Sequence, residues 1–230
     1  MQATLRSAAL AILLASIGTA AVRAVPAGQP KFLAPDVKTA GDIPFPPNSM
    51  AAGAVSLLLA LDATGQVQNV QVLRDFPSLT GVVQSAVQTW QFAPATLGGA
   101  HVPADLSVSA VFNPYNPGGT SFQTLVLPPP AFTPAPAPGG PNFVPPQILS
   151  GTFAKYPANS VAWGAVVLDV RIDSAGLVTN VRAVRKVASL TTPAMNAVQT
   201  WAFNPATLDG HAVGANLVVA FVFPRNTAGP

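Results

Sequence analysis

Two histidines, His101 and His211, are the side chains of this sequence best suited to acid–base or nucleophilic chemistry. A hydrolase would also need a nucleophile and a group that orients the base, and the chain contains neither cysteine nor glutamate. The two histidines do not occupy equivalent positions of the internal repeat, whereas a duplicated active site is expected to repeat. The sequence therefore predicts solvent-facing loop histidines and a protein that is not an enzyme.

Two aspartates, Asp62 and Asp173, do occupy equivalent positions, each three residues before a glycine, Gly65 or Gly176. Aspartate and glycine are typical of tight turns, because aspartate accepts nearby backbone N–H groups and glycine tolerates positive φ. One histidine in each half, without cysteine or glutamate, gives no recognised spacing of metal ligands. The sequence predicts structural turns, no metal and no cofactor; a cation site at the two turns is the alternative.

Arg74 and Arg185 are cations that the repeat places in a shared position, each at the end of a predicted strand. We expect an exposed feature that contacts acidic groups of a partner, and a solvated edge charge that limits aggregation is the alternative. The rest of the sequence has no basic run, which is the footprint expected of a nucleic-acid-binding protein. A protein partner is therefore predicted, and nucleic acid is not.

An internal repeat with a constant offset of 111 residues organises the chain. The offset aligns Trp90 with Trp201, and the flanking residues match without a gap. The two copies cover residues 30–112 and 141–223. Each copy is long enough to fold as a small domain, although domains of this size bury a limited fraction of their surface.

The sequence pattern of each copy predicts the element order strand, strand, helix, strand. Apolar residues alternate along the first strand of the second copy, from Val166 to Ile172, which indicates a half-buried strand. The second strand has an irregular apolar spacing that predicts a bulge near Asn180. The fold class is therefore α+β, with two tandem ββαβ domains, each a small antiparallel sheet covered by one helix.

The helix of the second copy is indicated by apolar residues spaced i, i+3, i+4 and i+7, the last being Trp201. Thr192 is the predicted N-cap and Pro193 the first helical residue, and Pro205 prevents a helix from continuing past Phe203. Ligand stacking is the alternative role for the two tryptophans. The predicted structural core comprises Trp90, Trp201, Phe92, Phe203, Gly65 and Gly176.

The segment between the copies, residues 113–140, has no counterpart in the repeat and is rich in proline. Such composition favours polyproline II and a semi-rigid spacer, with a peptide ligand for an aromatic groove as the alternative. Four apolar residues near its centre suit docking on a domain or pairing as a short strand. These residues are Phe122, Leu125, Val126 and Leu127.

The N-terminal residues 1–24 have the composition of a secretory signal: Arg6, an apolar run, and a cleavage site after Ala24. The apolar run is shorter than the roughly 20 residues that span a bilayer as a helix. Export without cysteine suits a periplasm, which permits disulfides but does not require them. The sequence predicts a periplasmic protein; an uncleaved inner-membrane anchor, with membrane contact only in that case, is the alternative.

The order of motifs in both copies resembles the C-terminal domain of TonB proteins. The second copy carries a Tyr-Pro pair, a glycine before an alternating strand, a turn that ends in glycine, an aromatic followed by Phe-x-Pro, and a last strand that ends in phenylalanine. These motifs are Tyr156-Pro157, Gly164-Ala165-Val166, Asp173 to Gly176, Trp201 to Pro205, Gly210 and Phe221 to Phe223. The first copy has Phe45-Pro46 in place of Tyr-Pro.

This resemblance implies a ββαβ fold and a protein-binding role, in which an extended peptide of an outer-membrane receptor is captured by strand addition. It points to the second copy, where Tyr-Pro is intact. The predicted partner-binding residues are Tyr156 and Pro157 with Arg74 and Arg185, and the predicted partner is an outer-membrane receptor or another envelope protein.

Two functions from different classes remain open at this stage. The first is a periplasmic TonB-like interaction module associated with TonB-dependent outer-membrane transport. The second is a structural envelope module whose two domains pair with each other or self-associate, with a homo-oligomer as one outcome and no transport role.

Overall fold

The computed structural model describes residues 31–46, 49, 51–115, 124–128, 130–131 and 133–225. The predicted signal segment 1–24 and Phe122 of the linker lie outside the described residues. Within the described ranges, no helix has both the length and the apolarity needed to cross a membrane.

The two copies fold into the same succession of elements, and the predicted α+β class is confirmed. The first copy contains β1 (Phe32–Leu33), β2 (Asp36–Thr39), β3 (Gly53–Leu61), β4 (Val67–Arg74), α1 (Thr80–Val87), β5 (Gln91–Ala93), β6 (Ala95–Leu97), β7 (Ala100–Val102) and β8 (Ala104–Phe112). The linker contributes β9 (Thr124–Leu125). The second copy contains β10 (Phe143–Val144), β11 (Gln147–Thr152), β12 (Gly164–Ile172), β13 (Val178–Arg185), α2 (Thr191–Val198), β14 (Ala202–Asn204), β15 (Ala206–Leu208), β16 (His211–Val213) and β17 (Ala215–Phe223).

One six-stranded sheet runs through both copies, in the order β13-β12-β17-β8-β3-β4. Within each copy the three long strands are antiparallel, and the last strands β8 and β17 pair in parallel, with Val108 beside Val218. Two separate small sheets were expected from the sequence. A continuous sheet forms instead and buries every residue of β8 and β17, in keeping with the cover on both faces that parallel strand pairs require.

The two helices pack against opposite faces of this sheet. Residues paired across neighbouring strands share a face, and Val55, Ala110 and Ala220 form such a row on the face that α1 covers. Their chain neighbours Ala54, Val111 and Phe221 belong to the core beneath α2. The copies are therefore related by an approximate twofold axis along the strands.

The predicted core aromatic residues are buried beneath the helices. Trp90 and Trp201 are 5% and 6% exposed, and Phe92 and Phe203 are buried beside them. The indole N–H of Trp201 donates to the carbonyl of Thr152 at 3.1 Å.

The helix of the second copy, Thr191–Val198, begins and ends earlier than its sequence predicts, so Trp201 lies after its last residue and not on its apolar face. It begins at Thr191, after an N-cap at Leu190 that makes no side-chain bond, so Thr192 lies inside the helix and is not the N-cap. The Thr191 hydroxyl instead accepts the N–H of Val187 at 3.0 Å. Pro193 is tolerated there because N–H groups of the first turn have no intrahelical partner.

Two local features predicted from the sequence, a bulge in β13 and a tight turn before it, are present in the structure. The predicted bulge near Asn180 is present, since the register of β13 shifts between Arg171 and Ile172 on the neighbouring strand. The turn before β13 places Gly176 at φ +83°, and a Cβ there would collide with the carbonyl oxygen of Phe203. A second glycine, Gly210, has a similar φ of +78°, but its Cβ would meet nothing within 4 Å.

These two glycines provide a matched test of the turn. We expect Gly210→Ala to lower the free energy of unfolding by about 1 kcal/mol, the usual cost of a left-handed alanine. Gly176→Ala should lower it by about 3 kcal/mol, because the collision adds to the same backbone strain. Urea unfolding followed by tryptophan fluorescence measures both. Equal losses would show that the contact with Phe203 does not constrain the turn.

Candidate partner-binding edge

The N-terminal arm of each copy, residues 31–46 in the first and 141–154 in the second, lies across the open sheet face of the other copy. The Asn216 amide of the second copy donates to the carbonyl of Pro35 at 2.9 Å. On the opposite face, Arg74 of the first copy donates to the carbonyl of Ile148 at 2.8 Å. Because each arm is hydrogen-bonded to the other copy, the two copies stabilise each other.

The Tyr-Pro pair of the second copy belongs to this packed interior. Tyr156 is 2% exposed, its hydroxyl donates to the carbonyl of Ala162, and burial raises its pKa. Its ring packs edge-on against Tyr115 and Phe223, with centroids 5.4 and 5.7 Å away. Pro157 is half-buried. The Tyr156 ring therefore presents no free face to a partner in this arrangement.

The two repeated arginines are also engaged within the chain rather than standing exposed. Arg74 is 5% exposed, and its Nε donates to the carbonyl of Pro128 at 2.7 Å; burial lowers its pKa. Arg185 donates to the carbonyl of Ala165 and lies 3.1 Å from Asp42. The sequence could not reveal this because Pro128 and Ile148, which bond to Arg74, and Asp42, which pairs with Arg185, lie far away in the chain.

Strands β4 and β13 form the two ends of the sheet, and alternate residues of an end strand direct N–H and C=O groups away from it. At β4, the carbonyl of Leu73 accepts the N–H of Ala131 from the linker at 2.6 Å. The equivalent residue of β13 is Val184, and no described group beyond the sheet bonds to its carbonyl. The linker thus covers part of the β4 edge, and among the described residues no segment pairs with the outer side of β13.

Large exposed apolar side chains lie at both ends of the β12–β13 hairpin. Leu177, just before β13, is 64% exposed, and Trp163, just before β12, is 48% exposed. The equivalent residues of the first copy are Gln66 and Ala52. Arg225 stacks over the Trp163 ring, 4.3 Å from its centroid. We call β13 with Leu177 and Trp163 the β13 edge surface.

The residues singled out for chemistry lie apart from this surface or serve the turns. His101 and His211 are exposed on the short strands β7 and β16. The Asp62 carboxylate accepts the hydroxyl of Thr64 and the N–H groups of Gln66 and Thr64, and these bonds, that of the hydroxyl first, lower its pKa to about 2. Asp173 forms the equivalent bonds in its own turn. Across the described ranges, no three His, Cys, Asp or Glu residues are grouped to hold a metal ion.

Comparison with known families finds a match in both copies. The family model described as the Gram-negative bacterial TonB protein C-terminal matches residues 48–114 and 155–224, which together exceed half of the chain. Both matched segments begin after the arms, so β1, β2, β10 and β11 lie outside them. No curated protein and no solved structure matches the chain.

Sequence reasoning missed one buried polar stripe beneath the arm of the second copy. Asp105 on β8 is 3% exposed, and burial raises its pKa to about 6. Ser107 and Ser109 continue the stripe, and Ser109 bonds to Ser56 at 2.8 Å. The equivalent of Asp105 in the second copy is Asn216. The polar alternation of β8, absent from β17, was the available signal.

The raised pKa of Asp105 predicts that stability depends on pH. The folded protein holds this proton to about pH 6, whereas an unfolded aspartic acid loses it near pH 3.9. The native state is therefore favoured below about pH 4 and weakened as pH rises through 6. We expect Asp105→Asn, the residue of the second copy, to raise the free energy of unfolding at pH 7.5 by about 1–2 kcal/mol.

Urea titrations at pH 4 and pH 7.5 measure this effect, with exposed Asp209→Asn as the control. The gain from Asp105→Asn should shrink at pH 4, where the folded wild-type carboxyl is protonated and the unfolded one is about half protonated. A gain of equal size at both pH values would mean that the charge of Asp105 is not the cause.

Proposed function

Since this chain belongs to the TonB C-terminal family, we propose that it is a periplasmic interaction module whose second copy captures an extended peptide by strand addition to β13. The family consists of non-enzymatic protein-interaction domains of the cell envelope. The proposed partner is an outer-membrane receptor or another envelope protein, which associates the module with TonB-dependent transport. Residues 1–24 are the proposed export signal.

The open backbone of β13 is the observation that carries this proposal. Of the three-stranded unit in each copy, one edge is consumed by the pairing of β8 with β17. The remaining β4 edge is partly covered through Leu73 and Ala131. An extended segment beside β13 would bond to outward backbone groups that have no partner beyond the sheet among the described residues, and main-chain bonds supply most of the affinity in strand addition.

The β13 edge surface adds the side-chain contacts that such a complex needs. β13 has 8 residues, so a partner strand of the same length extends about 26 Å. It would run between Leu177 at one end of the hairpin and the neighbourhood of Trp163 at the other. Aromatic and aliphatic anchors of this kind commonly dominate interface energies. Pro157 would act by shaping the loop that carries Trp163.

Self-association is a second candidate function, because one molecule carries two sheet edges, β4 and β13. The pairing of β8 with β17 favours it, since it is an example of one copy completing the sheet of the other. Edge-to-edge association would bury the same β13 backbone. Sedimentation velocity over a range of concentrations separates the two candidates: a peptide-binding module sediments as a monomer, and a self-associating one does not.

Peptide binding to the full chain tests the proposal directly. Ten-residue peptides that tile the periplasm-exposed segments of the host's outer-membrane receptors are the probes, and amide hydrogen exchange is the measurement. We expect at least one peptide to slow exchange in β13 and to leave β4 unchanged. Protection confined to β4, or binding without protection of either edge, would contradict strand addition at β13.

An N-methylated version of the binding peptide is the matched control. Methylation of two alternate amides removes main-chain donors and keeps the side chains, so affinity should fall by about 10- to 30-fold if each lost bond contributes about 1 kcal/mol. Methylation of the intervening amides, which face away from β13, should have little effect. Equal effects of the two patterns would indicate that side chains alone bind the peptide.

A further inference from the structure

We infer that the segment captured by β13 is acidic, with carboxylates spaced to meet Arg171 and Lys186. This inference rests on the proposed strand addition and names the chemistry of the partner. It follows from the charges that the second copy carries and the first copy lacks, and from which of those charges are already paired.

The hairpin of the second copy is far more basic than its counterpart. Ala60, Gln71 and Asp75 of the first copy are replaced by three cations at the equivalent positions. These cations are Arg171, Arg182 and Lys186. The core of the fold does not require them, because the first copy forms the same hairpin with the same two register shifts.

Only some of these cations have a structural role. Arg182 lies 2.7 Å from Asp36 and 3.0 Å from Asp169, so its charge is matched within the chain. Arg171 and Lys186 are exposed, and neither forms an ion pair with a described residue. The neighbouring Asp173 carboxylate already accepts two backbone N–H groups of its own turn. Two cations therefore remain for a partner.

The positions of the two cations define the spacing of the partner's charges. Arg171 is the cross-strand neighbour of Asn180 in β13, and Lys186 follows the last residue of β13. Because the register shift at Val184 takes up one residue of β13, Lys186 lies five pairing positions beyond Asn180, which corresponds to about 17 Å. A strand added beside β13 would meet both cations with carboxylates about five residues apart.

The β4 edge differs from the β13 edge in the charges of its exposed side chains. Its exposed side chains include Gln68 and Asn69, and Asp75 follows the strand. An acidic segment would gain no ion pair there and would face Asp75 instead. Like-charge contacts of this kind suppress wrong pairings. The charge difference therefore directs an acidic segment to β13 even though both edges expose backbone.

Fluorescence anisotropy with three labelled peptides tests the inference on the full chain. The probes are ten-residue Val/Thr peptides with aspartate, asparagine or lysine at positions 2 and 7. Two exposed ion pairs contribute modestly, so we expect the aspartate peptide to bind about 3- to 10-fold more tightly than the asparagine peptide in low salt. This preference should shrink between 50 and 500 mM NaCl, roughly the range over which salt screens exposed charges.

The double variant Arg171→Ala, Lys186→Asp restores the residues of the first copy and should abolish the preference. Arg171→Gln, Lys186→Gln is the conservative version, and Lys155→Ala removes an exposed cation outside the hairpin as the control. A preference that survives both double variants, or equal affinity for the aspartate and asparagine peptides, overturns the inference.

Hydrogen exchange separates failure of this inference from failure of the proposed function. If the asparagine and aspartate peptides protect β13 equally, strand addition stands and the acidic partner is wrong. If no peptide of any charge protects β13, both are wrong. Protection of β13 that rises with protein concentration in the absence of peptide would assign the edge to a second copy of the chain and overturn the inference.

Discussion

The parallel pairing of β8 with β17 is the contact on which the rest of this structure depends. All nine residues of each strand are buried, so neither strand could lie at the end of a sheet without exposing apolar surface. Parallel pairing of equivalent strands also turns one copy over relative to the other. The helices therefore cover opposite faces, and each copy is left with one open face, which the arm of the other copy covers.

This arrangement allows the two similar copies to have different roles. The last strand of each copy pairs with the last strand of the other, and one outer strand of each copy lies at an end of the sheet. These two outer strands are related by the repeat, but their sequences can differ. The linker bonds to one end through Ala131. The other end carries Leu177 and Arg171 where the first copy has Gln66 and Ala60. Duplication thus separates a supporting copy from a copy with an open, basic edge.

Local pattern predicted the local structure, and long-range contacts account for what it missed. The alternation of β12, the bulge near Asn180 and the turn at Gly176 are set by neighbours in the chain, so they could be inferred from the sequence. The burial of Tyr156 and Arg74 could not, because the groups that cover them come from the linker, the arms and the other copy. Periodicity likewise indicated strands but carried no information on parallel pairing between copies.

The arms connect the open edge to the rest of the molecule. Arg182 on β13 bonds to Asp36 and to the carbonyl of Val37 in the arm of the first copy, while Arg185 at the end of the strand pairs with Asp42. The strand proposed to receive a partner is therefore fixed from the inner side by three contacts with a different copy. A fixed edge loses less conformational entropy on binding than a mobile one, which is a physical reason for a binding protein to contain two copies although only one presents the open edge.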